Sequence, residues 1–312
     1  MNANLYALFE SRFPLDRSAL FLEKESGECF SYADLERQTA YLAAFLTGAG
    51  VARGERVAVQ VEKTPQALFL YLACLRAGLV YLPLNNAYSE SEVDYFLQNA
   101  EPKVVVAQPS SIPWLVPLVA RLNIPHLFTL DENGQGSLTE AYTKVTGDFV
   151  TVESADDDLA AILYTSGTTG RSKGAMLTHK NLSSNALTLH RLWGFTAHDV
   201  LLHALPLFHV HGLFVACHCA LLNGSAMIFH RKFDARAVMR DLLRATVFMG
   251  VPHFLHAATR QGGFWRGHVS QYAAFHLWFS AAVAGDFQHI SAAQRQDASR
   301  TLWHDRNRHA DF

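Results

Sequence analysis

The chain carries the sequence Tyr164-Thr165-Ser166-Gly167-Thr168-Thr169-Gly170-Arg171-Ser172-Lys173-Gly174 between an apolar run at 159–163 and a helix-like segment at 178–189. The apolar run indicates a buried strand. The three glycines permit positive φ angles and a close approach of the backbone to a ligand. An ordinary Gly/Ser/Thr turn is the simpler interpretation. The density of donors between a strand and a helix favours a phosphate-binding loop instead.

In such a loop, backbone N–H groups and hydroxyls bind phosphate oxygens while Lys173 supplies a compensating positive charge. Lys173 follows Ser172 and precedes Gly174, so the loop is not a Walker A motif, which needs Ser or Thr after its lysine. The residues assigned to nucleotide binding are Thr165, Ser166, Gly167, Thr168, Thr169, Gly170 and Lys173. Thr169 and Lys173 are also the candidate catalytic residues.

Composition limits the class of protein. The chain has 312 residues, 50% of them hydrophobic, and a formal net charge of −2, which allows a large core or two medium domains. A charge near zero without a long basic run disfavours nucleic acid and membrane surfaces as partners. No apolar run approaches the roughly 18 residues of a spanning helix, and residues 1–14 lack a signal core. We expect a cytoplasmic protein.

The four cysteines form no C-x-x-C pair, and they suggest reduced thiols. Cys217-His218-Cys219, close to His209 and His211, raises the possibility of zinc. Its spacing fits no standard zinc site, and the surrounding segment is apolar. We therefore predict buried structural thiols.

Helical and strand patterns alternate over the first 250 residues, which predicts βαβ units and mainly parallel sheets flanked by helices. Ser31 is a predicted N-cap for a helix to about Leu46, and Thr64-Pro65 should begin a helix that ends at Gly78. Another helix is predicted over about 89–99. Strands are predicted at 56–61, 80–84, 103–107, 126–130, near 201, at 226–229 and at 246–251.

The loop resembles the phosphate loop of the adenylate-forming acyl-CoA synthetases, with Ser172 in the place of their usual proline. Phe30 to Leu35 resembles an early motif of that family, and Leu205 to Leu213 resembles the motif whose histidine borders the acid pocket. Resemblance covers residues 1–252, and segments 72–84, 158–185 and 249–252 are most similar to malonyl-CoA synthetases. The implied fold is an incomplete large N-terminal domain of these α/β enzymes.

The resemblance implies a two-step ligation of malonate, or another short carboxylic acid, to coenzyme A. ATP and the acid give an acyl-adenylate and pyrophosphate, and the CoA thiol then displaces AMP. Mg²⁺ is the implied metal, with ligands unknown. His209 and His211 are the candidate substrate-binding residues; the alternative is that each is a hydrogen-bonded packing residue. Tyr164 is expected to be scaffold rather than chemistry.

The sequence changes character after Pro252. Residues 253–312 contain no Lys, Glu or Pro, yet they hold seven of the sixteen His and three of the five Trp. A divergent C-terminal domain is one explanation, and a one-base frameshift is the other. In the shifted frame, 253–259 can become T-F-Y-T-R-L-L, 271–283 can become N-M-R-L-F-I-S-G-S-A-P-L-L, and 296–309 can become K-T-L-L-E-R-Y-G-M-T-E-T-G-M. These resemble the family's continuation, so we interpret 253–312 as a frameshifted tail.

By resemblance, Y-G-M-T-E-T would supply the Mg²⁺-binding glutamate, and the arginine of N-M-R-L-F would pair with the distal carboxylate of malonate. Neither exists in the frame as written, and we expect this chain to lack the small C-terminal domain with its catalytic lysine. We therefore expect a poorly packed tail, exposed apolar surface and no measurable ligase activity. Three hypotheses remain: a malonyl-CoA synthetase with an altered sequence, an inactive truncated product, and a nucleotide-binding protein that ligates nothing.

Overall fold

The computed structural model describes residues 2–165 and 172–250, together with the backbone of a strand at 276–279. The strands in this part of the chain are β1 (Leu20–Lys24), β2 (Cys29–Ser31), β3 (Arg56–Gln60), β4 (Val80–Pro83), β5 (Val104–Ala107), β6 (His126–Thr129), β7 (Leu159–Thr165), β8 (Lys173–Thr178), β9 (Val200–His203), β10 (Ala226–Phe229), β11 (Val247–Gly250) and β12 (His276–Phe279).

These strands form two six-stranded sheets. Sheet I has the order β12-β11-β9-β10-β1-β2, and sheet II has the order β6-β5-β3-β4-β7-β8. Only the pairs β1–β2 and β7–β8 are antiparallel among the described pairings. The mainly parallel α/β architecture is thus confirmed. Within the interpreted tail, β12 pairs in parallel with β11, with Leu277 opposite Phe248; the rest of the tail lies outside the described residues.

The helices are α1 (Leu5–Glu10), α2 (Tyr32–Gly48), α3 (Pro65–Ala77), α4 (Glu90–Ala100), α5 (Ile112–Arg121), α6 (Ser137–Tyr142), α7 (His179–Trp193), α8 (His218–Asn223) and α9 (Ala235–Asp241). The predicted caps are confirmed: Ser31 forms a capping box with Asp34, the Thr64 hydroxyl accepts from the Ala67 N–H, and Gly78 ends α3 at φ 67°. Within the described ranges, no helix has the length and apolar character needed to span a membrane.

The segment after the candidate phosphate loop differs from expectation. We predicted a strand over 159–163, a loop from Tyr164 to Gly174 and a helix from Thr178, and the helix is confirmed as α7. However, β7 extends to Thr165, and β8 returns antiparallel to it before α7 begins at His179. The loop is therefore the tip of a hairpin. β8 gave no alternating apolar signal because much of it is exposed, Met176 to 66%, at the edge of sheet II in the described structure.

Helix α3 is buried on nearly every face. Each of its residues except Gln66 is buried, as its apolar composition requires. Phe69 packs against Phe21 of sheet I with ring centroids 6.4 Å apart, and Tyr71 packs edge-on against Tyr81 of sheet II at 5.1 Å. One apolar core therefore extends across both sheets.

Three of the four cysteines are buried thiols: Cys74, Cys217 and Cys219. Burial raises the pKa of Cys217 and of Cys219 to about 12, so both are held as neutral thiols. The prediction of buried thiols is confirmed for the Cys217-His218-Cys219 segment. Cys29, in contrast, is exposed.

Asn4 connects the N-terminus to the rest of the chain. Its side chain is fully buried, and its Nδ2 donates to the carbonyl oxygens of Leu75 at 2.8 Å and Val152 at 3.0 Å. Its Oδ1 accepts from the Tyr6 N–H at 2.9 Å and caps α1. We expect Asn4→Ala to lower the free energy of unfolding by about 2–3 kcal/mol, because it leaves buried backbone groups without partners.

Urea unfolding of Asn4→Ala measures this loss. Asn133→Ala is the matched control, because Asn133 is exposed in a turn and its side chain makes no such contacts. Equal stability of the two variants would contradict the role assigned to Asn4.

Candidate functional site

The hairpin brings the two ends of the candidate phosphate loop together. Thr165, the last residue of β7, lies opposite Lys173, the first residue of β8. The assigned residues Ser166, Gly167, Thr168, Thr169 and Gly170 lie outside the described residues. Their assignment stays a prediction. The two described members, Thr165 and Lys173, stand side by side with exposed side chains where the loop begins and ends.

Helix α4 supports both sides of this hairpin. Tyr164 donates its hydroxyl to Asn99 Oδ1 at 2.6 Å, and its ring packs on Phe96 with centroids 4.2 Å apart. Tyr95 donates its hydroxyl to the carbonyl of Ser172 at 3.0 Å. Tyr164 is thus held as part of the scaffold, in agreement with expectation. Among the described residues, no carboxylate pairs with Lys173, so its ammonium group is available to an anion.

A cleft of about 280 Å³ lies at the carboxyl ends of strands from both sheets. Ligands commonly bind at this end of parallel strands in open α/β folds. Its walls come from β3 and β4 of sheet II and from the segments after β9 and β10 of sheet I. The lining residues are Val59, Val61, Glu62, Lys63, Ala67, Tyr81, Pro83, Leu84, Asn86, Ala204, Pro206, Leu207, Phe208, Arg231, Lys232 and Phe233.

Arg231 and Lys232 place positive charge on the exposed side of this cleft, and Glu62 adds a carboxylate to its lining. Arg231 is engaged by Glu132, with Nη1 3.0 Å from Oε2. Lys232 is exposed and forms no ion pair within the described part of the chain. The interior is mostly apolar, so the cleft suits a ligand with an apolar portion and a negative group near its mouth.

The two predicted substrate histidines lie just past the cleft wall. His209 is exposed, and its ring packs on Phe208 with centroids 4.6 Å apart. His211 is half-buried, and its Nε2 has no hydrogen-bond partner in the described structure. Partial burial lowers the pKa of both imidazoles, so both favour the neutral form. Neither lines the described cleft, whereas Phe208 and its two preceding residues do.

Lys63 and His203 form a buried pair that the sequence analysis missed. The Nζ of Lys63 lies 2.7 Å from His203 Nδ1 and 2.8 Å from the His203 carbonyl oxygen. Burial lowers the pKa of Lys63 to about 7, and it lowers the pKa of His203 well below its usual value. The two residues are separated by 140 positions. No local pattern could have indicated their contact.

A π-helix at His211–Cys217 follows the cleft wall. Single π-turns are rare and are frequent at functional sites. Gly212, near the start of this π-helix, packs closely against the cleft loop. A Cβ at this position would lie 2.1 Å from the carbonyl oxygen of Pro206. Glycine is therefore required where the π-helix approaches the cleft loop.

The implied Mg²⁺ finds no ligand set in this part of the molecule. Across residues 2–165 and 172–250, no group of three or more His, Cys, Asp or Glu side chains is arranged to hold a metal ion. The glutamate that the resemblance implies belongs to the proposed shifted frame. No metal site is assigned within the described residues.

The mainly parallel sheets, with a hairpin at β7–β8 and a cleft at the strand ends, define an α/β protein. The chain belongs to the AMP-binding enzyme family, whose profile matches residues 9–295. Its relatives are acyl-CoA ligases, and by family the chain is an enzyme of this kind.

Three similar proteins illustrate the range of identity and coverage among the relatives. MatB from Rhodopseudomonas palustris, solved with ATP bound, is 49% identical with a TM-score of 0.80, over 83% of this chain and 51% of that one. Feruloyl-CoA synthase from Amycolatopsis is 34% identical over 75% of this chain and 46% of its own length. The mitochondrial malonate–CoA ligase ACSF3 of mouse is 35% identical over 65% and 35%. The chain thus spans about half the length of such relatives or less.

The buried histidines make stability depend on pH. His218 is fully buried, its Nε2 lies 2.7 Å from the Tyr71 hydroxyl, and burial lowers its pKa to about 3. Because the unfolded imidazole has the higher pKa, the unfolded state binds more protons below pH 6.5, and stability falls as pH drops. We expect His218→Gln to reduce the loss of unfolding free energy between pH 7 and 5 by about 2 kcal/mol.

Urea unfolding at the two pH values measures this difference. His198→Gln serves as control, because His198 is exposed and its removal should leave the pH dependence unchanged. An unaltered pH dependence in His218→Gln would show that His218 is not buried in its neutral form.

Proposed function

We propose that the chain derives from an ATP-dependent acid–thiol ligase of the malonyl-CoA synthetase type. The overall reaction would convert malonate, ATP and CoA to malonyl-CoA, AMP and pyrophosphate through an acyl-adenylate. The hairpin that sets Thr165 beside Lys173 carries this proposal. The 49% identity to a MatB solved with ATP supports the nucleotide, and the malonate–CoA ligase among the relatives supports the acid.

In the proposed first step, a carboxylate oxygen attacks the α-phosphorus of ATP and pyrophosphate leaves. The reacting groups are all negative, so their approach needs positive charge and N–H donors already in place. Lys173 would supply the charge, Thr169 would contact the reacting phosphate, and the rest of the loop would hold the phosphates. Thr165 begins the loop and would add its hydroxyl.

We propose that the cleft between the sheets receives the thiol or acid substrate. Its apolar walls and the free ammonium of Lys232 suit a ligand that joins an apolar arm to negative groups. His209 and His211 would border the acid, and their neutral imidazoles can donate or accept hydrogen bonds. The proposed partners are therefore small molecules only, and we propose a cytoplasmic setting because free thiols such as the exposed Cys29 persist there.

Two alternatives compete with this function. The feruloyl-CoA synthase among the relatives shows that a similar chain can serve another acid. The second alternative is a product that keeps the phosphate loop but performs no ligation. The change of sequence character after Pro252 favours it for the chain as written. We propose accordingly that 1–252 is a partial AMP-binding domain and that 253–312 is a frameshifted tail.

The nucleotide assignment can be tested on the chain itself. We expect Lys173→Ala to weaken ATP binding by about tenfold or more, because it removes a charged partner of the phosphates. Isothermal titration with ATP measures the effect. Lys180→Ala is the matched control, because Lys180 is equally exposed on the neighbouring helix but pairs with Asp156 at 2.8 Å. Equal affinities of the two variants would remove Lys173 from the nucleotide site.

A test of the ligase assignment requires the correct reading frame of the gene. We expect an independent DNA read across the codons for Gly250 to Phe254 to reveal one surplus base. The protein with the corrected frame should then release AMP and pyrophosphate only when malonate is present, whereas the 312-residue chain should not. Release with ferulate but not malonate would assign another acid. A confirmed sequence with no surplus base would favour the inactive alternative.

A further inference from the structure

Lys63 and His203 connect the two sheets at the cleft. Lys63 lies in the segment between β3 of sheet II and α3, and His203 is the last residue of β9 in sheet I. Both side chains are buried. Within the described residues, no carboxylate lies within ion-pair distance of Lys63, and its principal partner is the imidazole.

The contacts of this pair have a direction. In its charged form, below its pKa of about 7, Lys63 can only donate hydrogen bonds, so His203 Nδ1 accepts the bond at 2.7 Å. A neutral imidazole that accepts at Nδ1 carries its proton on Nε2. His203 Nε2 lies 2.9 Å from the carbonyl oxygen of Gly212, which can only accept. The donors and acceptors agree from Lys63 through His203 to Gly212, and the Cys217 Sγ, 3.3 Å from the same Nε2, can also accept from it.

The ammonium group of Lys63 is engaged on all sides by the protein and is not free to bind a substrate. Two of its three N–H groups are directed to His203, at Nδ1 and at the carbonyl oxygen. Its Nζ also lies 4.1 Å from the centroid of the Phe229 ring, a cation–π contact that occupies the third side. Although Lys63 lines the cleft, it is committed to the protein, which disfavours a direct role in binding a substrate anion.

The far end of this path lies in the cleft wall. Gly212 is packed against the Pro206 carbonyl so tightly that no side chain fits. The segment 204–212 contains the wall residues Pro206 and Phe208 and the candidate histidine His209. A hydrogen bond from His203 to the Gly212 carbonyl thus ties the two ends of this segment together.

We propose that Lys63 and His203 are positioning residues that hold the 204–212 segment in place by a directed hydrogen-bond relay between the sheets. Lys63 fixes the tautomer and ring orientation of His203, and His203 Nε2–H anchors the start of the π-helix at Gly212. The relay acts on the shape of the cleft wall without touching a substrate. Its bearing on acid binding rests on the proposed function, whereas the relay itself does not.

The tautomer of His203 tests the relay in the unmodified chain. Nitrogen-15 NMR of the histidine-labelled protein at pH 6, below the pKa of Lys63 of about 7, should show His203 neutral and protonated at Nε2, with the signal assigned by its loss in His203→Gln. A His203 protonated at Nδ1, or at both nitrogens, would overturn the proposal, because Lys63 could not then donate to it. This measurement involves no nucleotide, acid or thiol, so it is independent of the ligase assignment.

Hydrogen exchange tests what the relay holds. In Lys63→Met, amides in 204–217 should exchange at least about tenfold faster than in the unmodified chain, since a charged hydrogen bond is lost. Amides of α4, far along the chain, should exchange as before, and the exposed control Lys103→Met should change neither region. Unchanged exchange at 204–217, or equal acceleration in α4, would refute the positioning role. Should Lys63→Met not fold, the NMR result decides.

Discussion

The burial of α3 is the constraint on which the remaining architecture depends. Its apolar side chains project in all directions, so the helix cannot lie on a surface and must be covered on every side. Contacts of Phe69 and Tyr71 with opposite sheets satisfy this requirement. The strands before and after α3 are β3 and β4, and both belong to sheet II. Helix α3 therefore connects the carboxyl end of β3 to the amino end of β4. The cleft lies at the carboxyl end of β3, in the segment where Lys63 precedes α3.

Much of this fold is legible in the sequence because its signals are local. The beginning of a helix is predicted by the hydroxyl of Ser31 and by the Thr64-Pro65 pair. A buried strand is predicted by an apolar run such as Val104 to Ala107. β8 could not be predicted in this way because a partly exposed edge strand has no apolar periodicity to detect. The role of Lys63 could not be predicted for a different reason. Between Glu62 and Thr64 this lysine resembles a surface residue, and only the fold brings His203 to it.

The family assignment and the substrate assignment have different physical foundations. By the proposed assignment the hairpin would bind phosphate, a group common to every enzyme that uses ATP, so its residues would identify the nucleotide reaction and not the acid. Acid choice depends on pocket walls, and the described wall is apolar at Phe208 with neutral histidines beyond it. The relatives include ligases named for malonate and for ferulate. The cations that line the cleft are Lys63, Arg231 and Lys232. Lys63 and Arg231 are already paired, so within the described wall a dicarboxylate would have Lys232 as its unpaired cation.

The exposed position of β8 has a consequence for how the chain behaves in concentrated solution. A strand with one paired edge presents a row of N–H and C=O groups on the other, and any extended segment can complete it. Met176 adds an apolar side chain at that border. Within the described structure, a second copy of the chain that pairs with β8 would cover the edge strand that begins at Lys173. Self-association would then compete directly with access to the candidate phosphate loop.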